Sequence, residues 1–284
     1  MSRLYDRLMC EGKYEEYLNG MVVVAADDVV KYYHETSEQE YWDIGRLPHI
    51  LPPFDNMFIE TKAPLLTNSE DHGETRWSDL WWCPTAWGVG IKSTWLSREK
   101  CFVTLLLYLE NRHEYCGMFP AALMMDVDRS GRLIDGSIKW GVTKEGIDKN
   151  ELGGAQGAFI FPLLLSVSFM HCKNVTIKQN TPPPKLSRKH QKKHGKPLVR
   201  YHTLDIEPMK KILRMEGQSE THGLKHALHI CRGHFKDYRD GGGLFGKHKG
   251  LYWWESHVRG DKREGVVLKD YNIKMGGQNV LPGM

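Results

Sequence analysis

The sequence predicts an α+β protein: a β-rich acidic N-terminal part with a buried central helix, then a basic C-terminal part with a four-stranded antiparallel sheet. Three observations carry that expectation. Short strand-like runs separated by turn residues succeed one another from Leu51 to Val142. The stretch Gly153 to Cys172 holds no Asp, Glu, Lys or Arg. The net charge of +4 is the sum of two opposed parts: 16 Lys and Arg against 25 Asp and Glu in residues 1–172, then 23 against 10 in 173–284. An acidic front (−9) and a basic back (+13) define two domains, 1–172 and 173–284, and the second has the charge of a polyanion binder.

The composition excludes collagen-like, coiled-coil and wholly disordered classes, with 40% hydrophobic residues, 26% charged residues and a mean hydropathy of −0.49. Met1 to Asp6 has no apolar run behind its charges, so no secretion signal is expected. Six cysteines at irregular gaps, with no C-x-x-C pair, point to reduced thiols rather than a disulfide framework.

Element by element, Tyr14 to Tyr33 reads as helical. Strands follow at Phe54–Glu60, Trp87–Ile91, Cys101–Tyr108, Ala121–Val127 and Ile134–Val142, forming an antiparallel sheet of four or five strands. Gly153 to Cys172 has the length of a membrane span, but its glycines, serines, proline and histidine dilute it, and a buried helix of a globular core is expected. After Thr181-Pro182-Pro183-Pro184, residues Lys185 to His194 read as an exposed basic helix stopped by Gly195 and Pro197. The four strands of the basic part are expected at Leu198–Ile206, Ala227–Lys236, Leu251–Arg259 and Val266–Ile273.

Several motifs dissolve on inspection. Asp126-Val127-Asp128-Arg129-Ser130-Gly131 opens like a calcium loop, but position twelve is Ser137 where a bidentate Glu is needed, so it reads as a hairpin turn. Gly241-Gly242-Gly243-Leu244-Phe245-Gly246 matches the dinucleotide fingerprint only formally, since Lys247-His248-Lys249-Gly250 and an aromatic strand follow instead of a helix. It reads as a loop. The cluster Trp77, Trp81, Trp82, Trp87 and Trp95 lies in the acidic half, where core filling outweighs base stacking.

The histidines are the informative feature, because nine of 14 lie from His190 onward, on the basic side. Strand alternation puts His226, Arg232 and His234 on one face, with His229, Cys231 and Phe235 on the other. The next strand sends Glu255, His257 and Arg259 to one side. Two adjacent strands with that inventory suit metal-independent cleavage of a phosphodiester. One His takes the ribose 2′-OH proton, another protonates the leaving oxygen, and arginines stabilise the phosphorane. The expected roles are His234 and His257 as acid and base in either order, with Arg232 and Arg259 on the phosphate and His226 and Glu255 beside them. Arg188, Lys189, Lys192, Lys193, Lys196, Lys247 and Lys249 are the expected contacts to the RNA or DNA backbone. No metal or cofactor is expected; a zinc site of His222, His226, His229 and Cys231 has ligands of the right type but the spacing of no common zinc module.

The run Lys185 to His202, the segment Cys231-Arg232-Gly233-His234-Phe235, the strand Trp253-Trp254-Glu255-Ser256-His257-Val258-Arg259-Gly260 and the terminal Lys269-Asp270-Tyr271 together resemble a sparsely characterised set of proteins from bacteriophages and bacterial mobile elements. They share an R-G-H-(F/W) strand, a W-x-x-x-H-x-R-G strand and a K-D-Y strand. The resemblance covers the last third of the chain and implies a source, hence the cytoplasm of a bacterial host, more than a mechanism. The order of helices before a four-stranded sheet is also similar to the barnase and colicin-like ribonucleases at the level of fold alone. The function expected is nucleic-acid engagement, with endoribonuclease activity as its sharp form. The alternative is a non-enzymatic phage protein that binds a host protein, through the acidic part, or nucleic acid to inhibit defence or alter regulation.

Overall fold

The computed structural model describes residues 3–36, 44–62, 84–111, 116–142, 149–215, 227–231, 233–255, 257–259 and 261–266. It is an α+β fold built on one large mixed sheet. The described residues fall into two compact units: Met1–Pro208 with Phe235–Trp253, and Met209–His234 with Trp254–Met284.

In the first unit, α1 (Leu4–Glu11) and α2 (Glu15–Leu18) precede β1 (Val22–Ala25) and α3 (Asp27–Thr36). A 3-10 turn at Ile44–Arg46 leads to β2 (Asn56–Thr61), β3 (Pro84–Trp95), β4 (Lys100–Asn111), β5 (Cys116–Asp128) and β6 (Lys139–Val142). Then come α4 (Lys149–Met170), β7 (Val175–Asn180), α5 (Pro184–His194) and β8 (Tyr201–Ile206). The eight strands lie in the order β6-β5-β4-β3-β2-β1-β8-β7. From β2 to β6 each strand runs antiparallel to the next, as does β7 to β8, whereas β1 is parallel to both β2 and β8.

The parallel centre corrects two expectations. Tyr14 to Tyr33 is not one helix, because Val22-Val23-Val24-Ala25 forms β1. A strand covered on both faces has no polar alternation to announce it, and the apolar run reads equally as a buried helix. The strand expected at Leu198–Ile206 exists as β8, but it pairs with β1 through Val23↔Tyr201 to Ala25↔Thr203 rather than with the later strands. The boundary drawn from charge at 172/173 therefore lies inside the first unit, between α4 and β7.

Two clusters sandwich the sheet. Val24, Met57, Ile59, Val89, Ile91 and Leu105 pack with Val29 and Val30 of α3 and with Phe159, Leu163, Leu164 and Val167 of α4. On the opposite face, Val23, Phe58 and Tyr108 meet Leu4, Tyr5 and Leu8 of α1 and Leu18 of α2. The alternation Val23/Val24 and Met57/Phe58 is the pleat made visible. Gly88 of β3 makes the second packing possible: a Cβ there would lie 2.7 Å from the Phe58 ring and 2.9 Å from the Ile59 carbonyl. From Phe159 to Met170 α4 is apolar apart from two serines and is buried or half-buried, and no helix among the described residues is long and apolar enough to cross a membrane. Asp128 to Arg132 forms the hairpin turn read from sequence, with the Asp128 N–H donating to Arg132 O at 2.9 Å and the Gly131 N–H to Asp128 O at 3.0 Å.

The strands expected over Ala227–Lys236 and Leu251–Arg259 are each interrupted. β9 (Ala227–Cys231) and β10 (His234–Asp237) part at Gly233, a residue that weakens strands. β11 (Leu251–Trp254) and β12 (His257–Arg259) part at Glu255. β13 (Asp261–Val266) completes a three-stranded sheet in the order β12-β9-β13, while β10 and β11 pair separately. Of the strands expected in the basic part, the first pairs in the large sheet and the second and third are divided between the two small ones, while residues 267–273 of the fourth lie outside the described residues; β13 runs parallel to β9.

Candidate functional site

The first group of expected contact residues is on α5. Pro184 occupies the first turn, where its missing N–H costs nothing, and the Leu186 and Ser187 N–H groups bond to the Pro183 carbonyl at 3.0 Å. The helix ends where the Gly195 N–H meets Gln191 O at 2.9 Å. No residue of α5 is buried. Lys185, Arg188, Lys189, Lys192 and Lys193 are all exposed, and none forms an ion pair with a described residue.

What fixes the helix lies beneath and after it. The Leu198 N–H donates to Ser187 Oγ at 3.1 Å. His190 Nδ1 is 2.8 Å from Lys196 O, and its Nε2 is 3.9 Å from Cys10 Sγ. Buried Asp6 of α1 accepts the Val199 N–H at 3.0 Å. These bonds tie α5 and the chain on its C-terminal side to α1 and leave its basic side chains exposed. Lys196 differs from the others: it is half-buried and its Nζ lies 2.9 Å from Glu15, so an internal carboxylate already neutralises it.

That charge pattern has an energetic consequence. Like charges at i,i+4 (Lys185/Lys189, Arg188/Lys192, Lys189/Lys193) each destabilise a helix by ~0.2–0.5 kcal/mol. Only Lys192, Lys193 and His194, in the last turn, are favoured by the helix dipole. With no buried face to offset the repulsion, α5 has a surface that a polyanion relieves.

The remaining expected contacts, Lys247 and Lys249, are exposed on the loop between β10 and β11. The loop holds Gly241 to Gly246 and is followed by a strand, not a helix, as the residues implied.

The expected catalytic set is only partly described. His226 and Arg232 lie outside the described residues, as does His222 of the zinc alternative. His234 is exposed at the first position of β10, and Glu255 is exposed after β11. Pairing of β12 with β9 sets His257 opposite Cys231 and Arg259 opposite His229. Alternation over unbroken strands had grouped His257 and Arg259 with His226, Arg232 and His234. The break at Gly233 places His234 on a different strand pair from His257.

Two polar clusters, one half-buried and one buried, went unread in the sequence. In the first, the rings of His49 and His171 stack with centroids 3.5 Å apart. Arg239 Nη1 lies 3.1 Å from His49 Nδ1 and Arg239 Nη2 donates to Pro48 O at 3.0 Å. Arg239 has no acceptor, so His49 Nδ1 accepts and its proton sits on Nε2. Burial, then His171, then Arg239 push His49 down to about 3, and burial also lowers His171, whose Nε2 is 2.8 Å from Leu51 O. Asp237, bonded to Arg239, is held down at about 2. Both histidines are therefore neutral pins joining the 48–51 segment, the end of α4 and the β10–β11 loop, not proton donors. The second cluster sets buried Glu60 of β2 against Arg3 Nη1 at 3.2 Å and the Tyr5 N–H at 2.9 Å, with Arg3 also over the Tyr201 ring. Burial raises Glu60 to about 7 against the pull of Tyr5 and Arg3. Neither cluster has a local sequence signal, since His49, His171 and Arg239 meet only through tertiary contacts. Among the described residues no group of three or more His, Cys, Asp or Glu is arranged to hold a metal.

Comparison with models of protein families, with curated proteins and with solved structures finds no match for this chain.

Proposed function

We propose that the protein binds RNA or DNA through the phosphate backbone, with α5 as the main contact. The observation that carries this reading is a helix with five exposed Lys and Arg side chains that form no ion pair with a described residue, no acidic residue and no buried face. Such a helix contributes nothing to a core, repels itself, and is anchored by its C-terminal flank and by Ser187 and His190, which is what a docking element for a polyanion requires. Lys189, Lys192 and Lys193 steer the backbone and Arg188 offers a bidentate guanidinium. Lys196 orders the flank through Glu15. The host is that of a phage or mobile element, as the C-terminal motifs imply.

Binding of labelled RNA and DNA by the full chain, measured by fluorescence anisotropy across a salt series, tests this reading. Affinity falls steeply with salt, and replacing Arg188, Lys189, Lys192 and Lys193 together by Ala flattens the log–log slope by about 3. Absence of binding at low salt, or a slope unchanged by the replacement, overturns it. Incubation with chelator, beside His234→Ala and His257→Ala, asks separately for cleavage: products that survive chelator and vanish in either variant support an acid–base pair.

A further inference from the structure

Phe245 is the one non-glycine with a positive φ (53°) among the described residues, and the residue is 46% exposed. A bulky residue in the left-handed region is strained, and a phenyl ring left half exposed gains less from burial than one in the core. Folding alone therefore favours glycine at this position.

The turn that presents the ring is closed. Leu244 and His248 exchange backbone N–H···O bonds at 3.1 Å in both directions, and the Lys247 N–H adds a third to Leu244 O at 3.1 Å. Gly243, at φ 77°, has the His248 carbonyl 2.9 Å from where a Cβ would stand, so the hairpin closes too tightly for any side chain there. The ring is held outward on a stiff base, with exposed Lys247 and Lys249 beside it. Nearby acids are engaged: Asp237 by Arg239 and Arg132, and Asp240 by Arg132 at 3.9 Å. The loop also connects to the basic helix. Gly250 abuts the Lys173 side chain, and the Lys173 N–H bonds to Leu251 O at 2.8 Å. From Lys173 the chain runs along β7, the edge strand of the sheet, with Thr176 and Lys178 exposed, and reaches α5 after a strand of six residues, or ~20 Å.

We infer that the nucleic acid is single-stranded and that Phe245 is the platform on which one of its unpaired bases stacks, with Lys247 and Lys249 on the adjoining phosphates. A π-face accepts any base, so the contact carries no sequence preference, whereas a duplex keeps its bases stacked on one another away from a ring on a short turn. This rests on the proposal that α5 binds the backbone.

The test uses the full chain and an oligothymidine carrying one 2-aminopurine, whose fluorescence is quenched on stacking, beside a duplex of matched length. Phe245→Gly relieves the backbone strain and removes the ring, so it keeps the fold. It is expected to lower single-strand affinity by about 5- to 100-fold, to abolish the quench, and to leave the salt slope and duplex affinity unchanged. Phe245→Trp restores both affinity and quench. An unchanged single-strand affinity in Phe245→Gly, while the α5 replacement still flattens the salt slope, overturns the stacking site and leaves the backbone interface standing. An equal loss on duplex and single strand also overturns it, in favour of a wedge into duplex DNA. Absence of any binding by the unmodified chain overturns both.

Discussion

α4 and α5 flank the same strand, β7, and are opposites. α4 has no Asp, Glu, Lys or Arg from Gly153 to Met170, and its described side chains from Phe159 onward are buried or half-buried. α5 buries nothing and carries charges of one sign. One helix exists because the sheet covers it; the other is held at its C-terminal flank while its own charges oppose it. A helix whose stability comes entirely from packing tolerates no truncation, whereas one whose charges serve a ligand tolerates, and even welcomes, their loss.

The largest expected effect breaks the packed member of that pair. Leu163→Ala opens a cavity between α4 and the sheet and lowers the unfolding free energy by ~2–5 kcal/mol, read from urea denaturation. Next is Gly88→Ala, where the added methyl meets the Phe58 ring and a backbone carbonyl that cannot retreat; the expected cost is ~1–3 kcal/mol by the same measurement.

Third is the His49–His171 pin at the end of α4. His49 falls from 6.5 in the unfolded chain to about 3 when folded, so the unfolded state binds more protons between those values. Stability is full above pH 6.5 and is lost as pH falls toward 3, by about 2 kcal/mol between pH 7 and 5. Glu60, raised from 4.5 to about 7, acts in the opposite sense: its contribution is full below pH 4.5 and is lost as pH rises through 7. Subtracting the pH profile of His49→Gln from that of the unmodified chain isolates the histidine, and a flat difference would refute the pin. The smallest effect sharpens the contrast. The fourfold Ala replacement on α5 changes stability by less than ~0.5 kcal/mol, while nucleic-acid affinity drops.

The two helices were also the most legible elements, because a charge-free run and an acid-free run are each explicit in the residues. The Asp128–Arg132 turn and the Gly241–Gly246 loop were equally plain, since turn chemistry is local. β1 was not, because four apolar residues of a strand buried on both faces have no period to read. Neither was the partner of β8, for parallel pairing joins residues 22–25 to 201–206 across most of the chain. The strands that carry His234 and His257 depended on interruptions at Gly233 and Glu255, and a break in a strand is not written in its alternation. His49, His171 and Arg239 lie too far apart in sequence for any spacing rule to bring together.

By itself the sequence determined where the charge lies, which helix is buried and which is bare, and that the Gly-rich segment is a loop, because each depends on composition and short-range stereochemistry. Only the tertiary structure decided that the basic helix belongs to the same unit as the acidic sheet. Only it showed that Lys196 is neutralised by Glu15, that two histidines are neutral pins, and that Phe245 stands outward on a closed turn. Those are matters of long-range pairing and close approach, and no local pattern of residues encodes them.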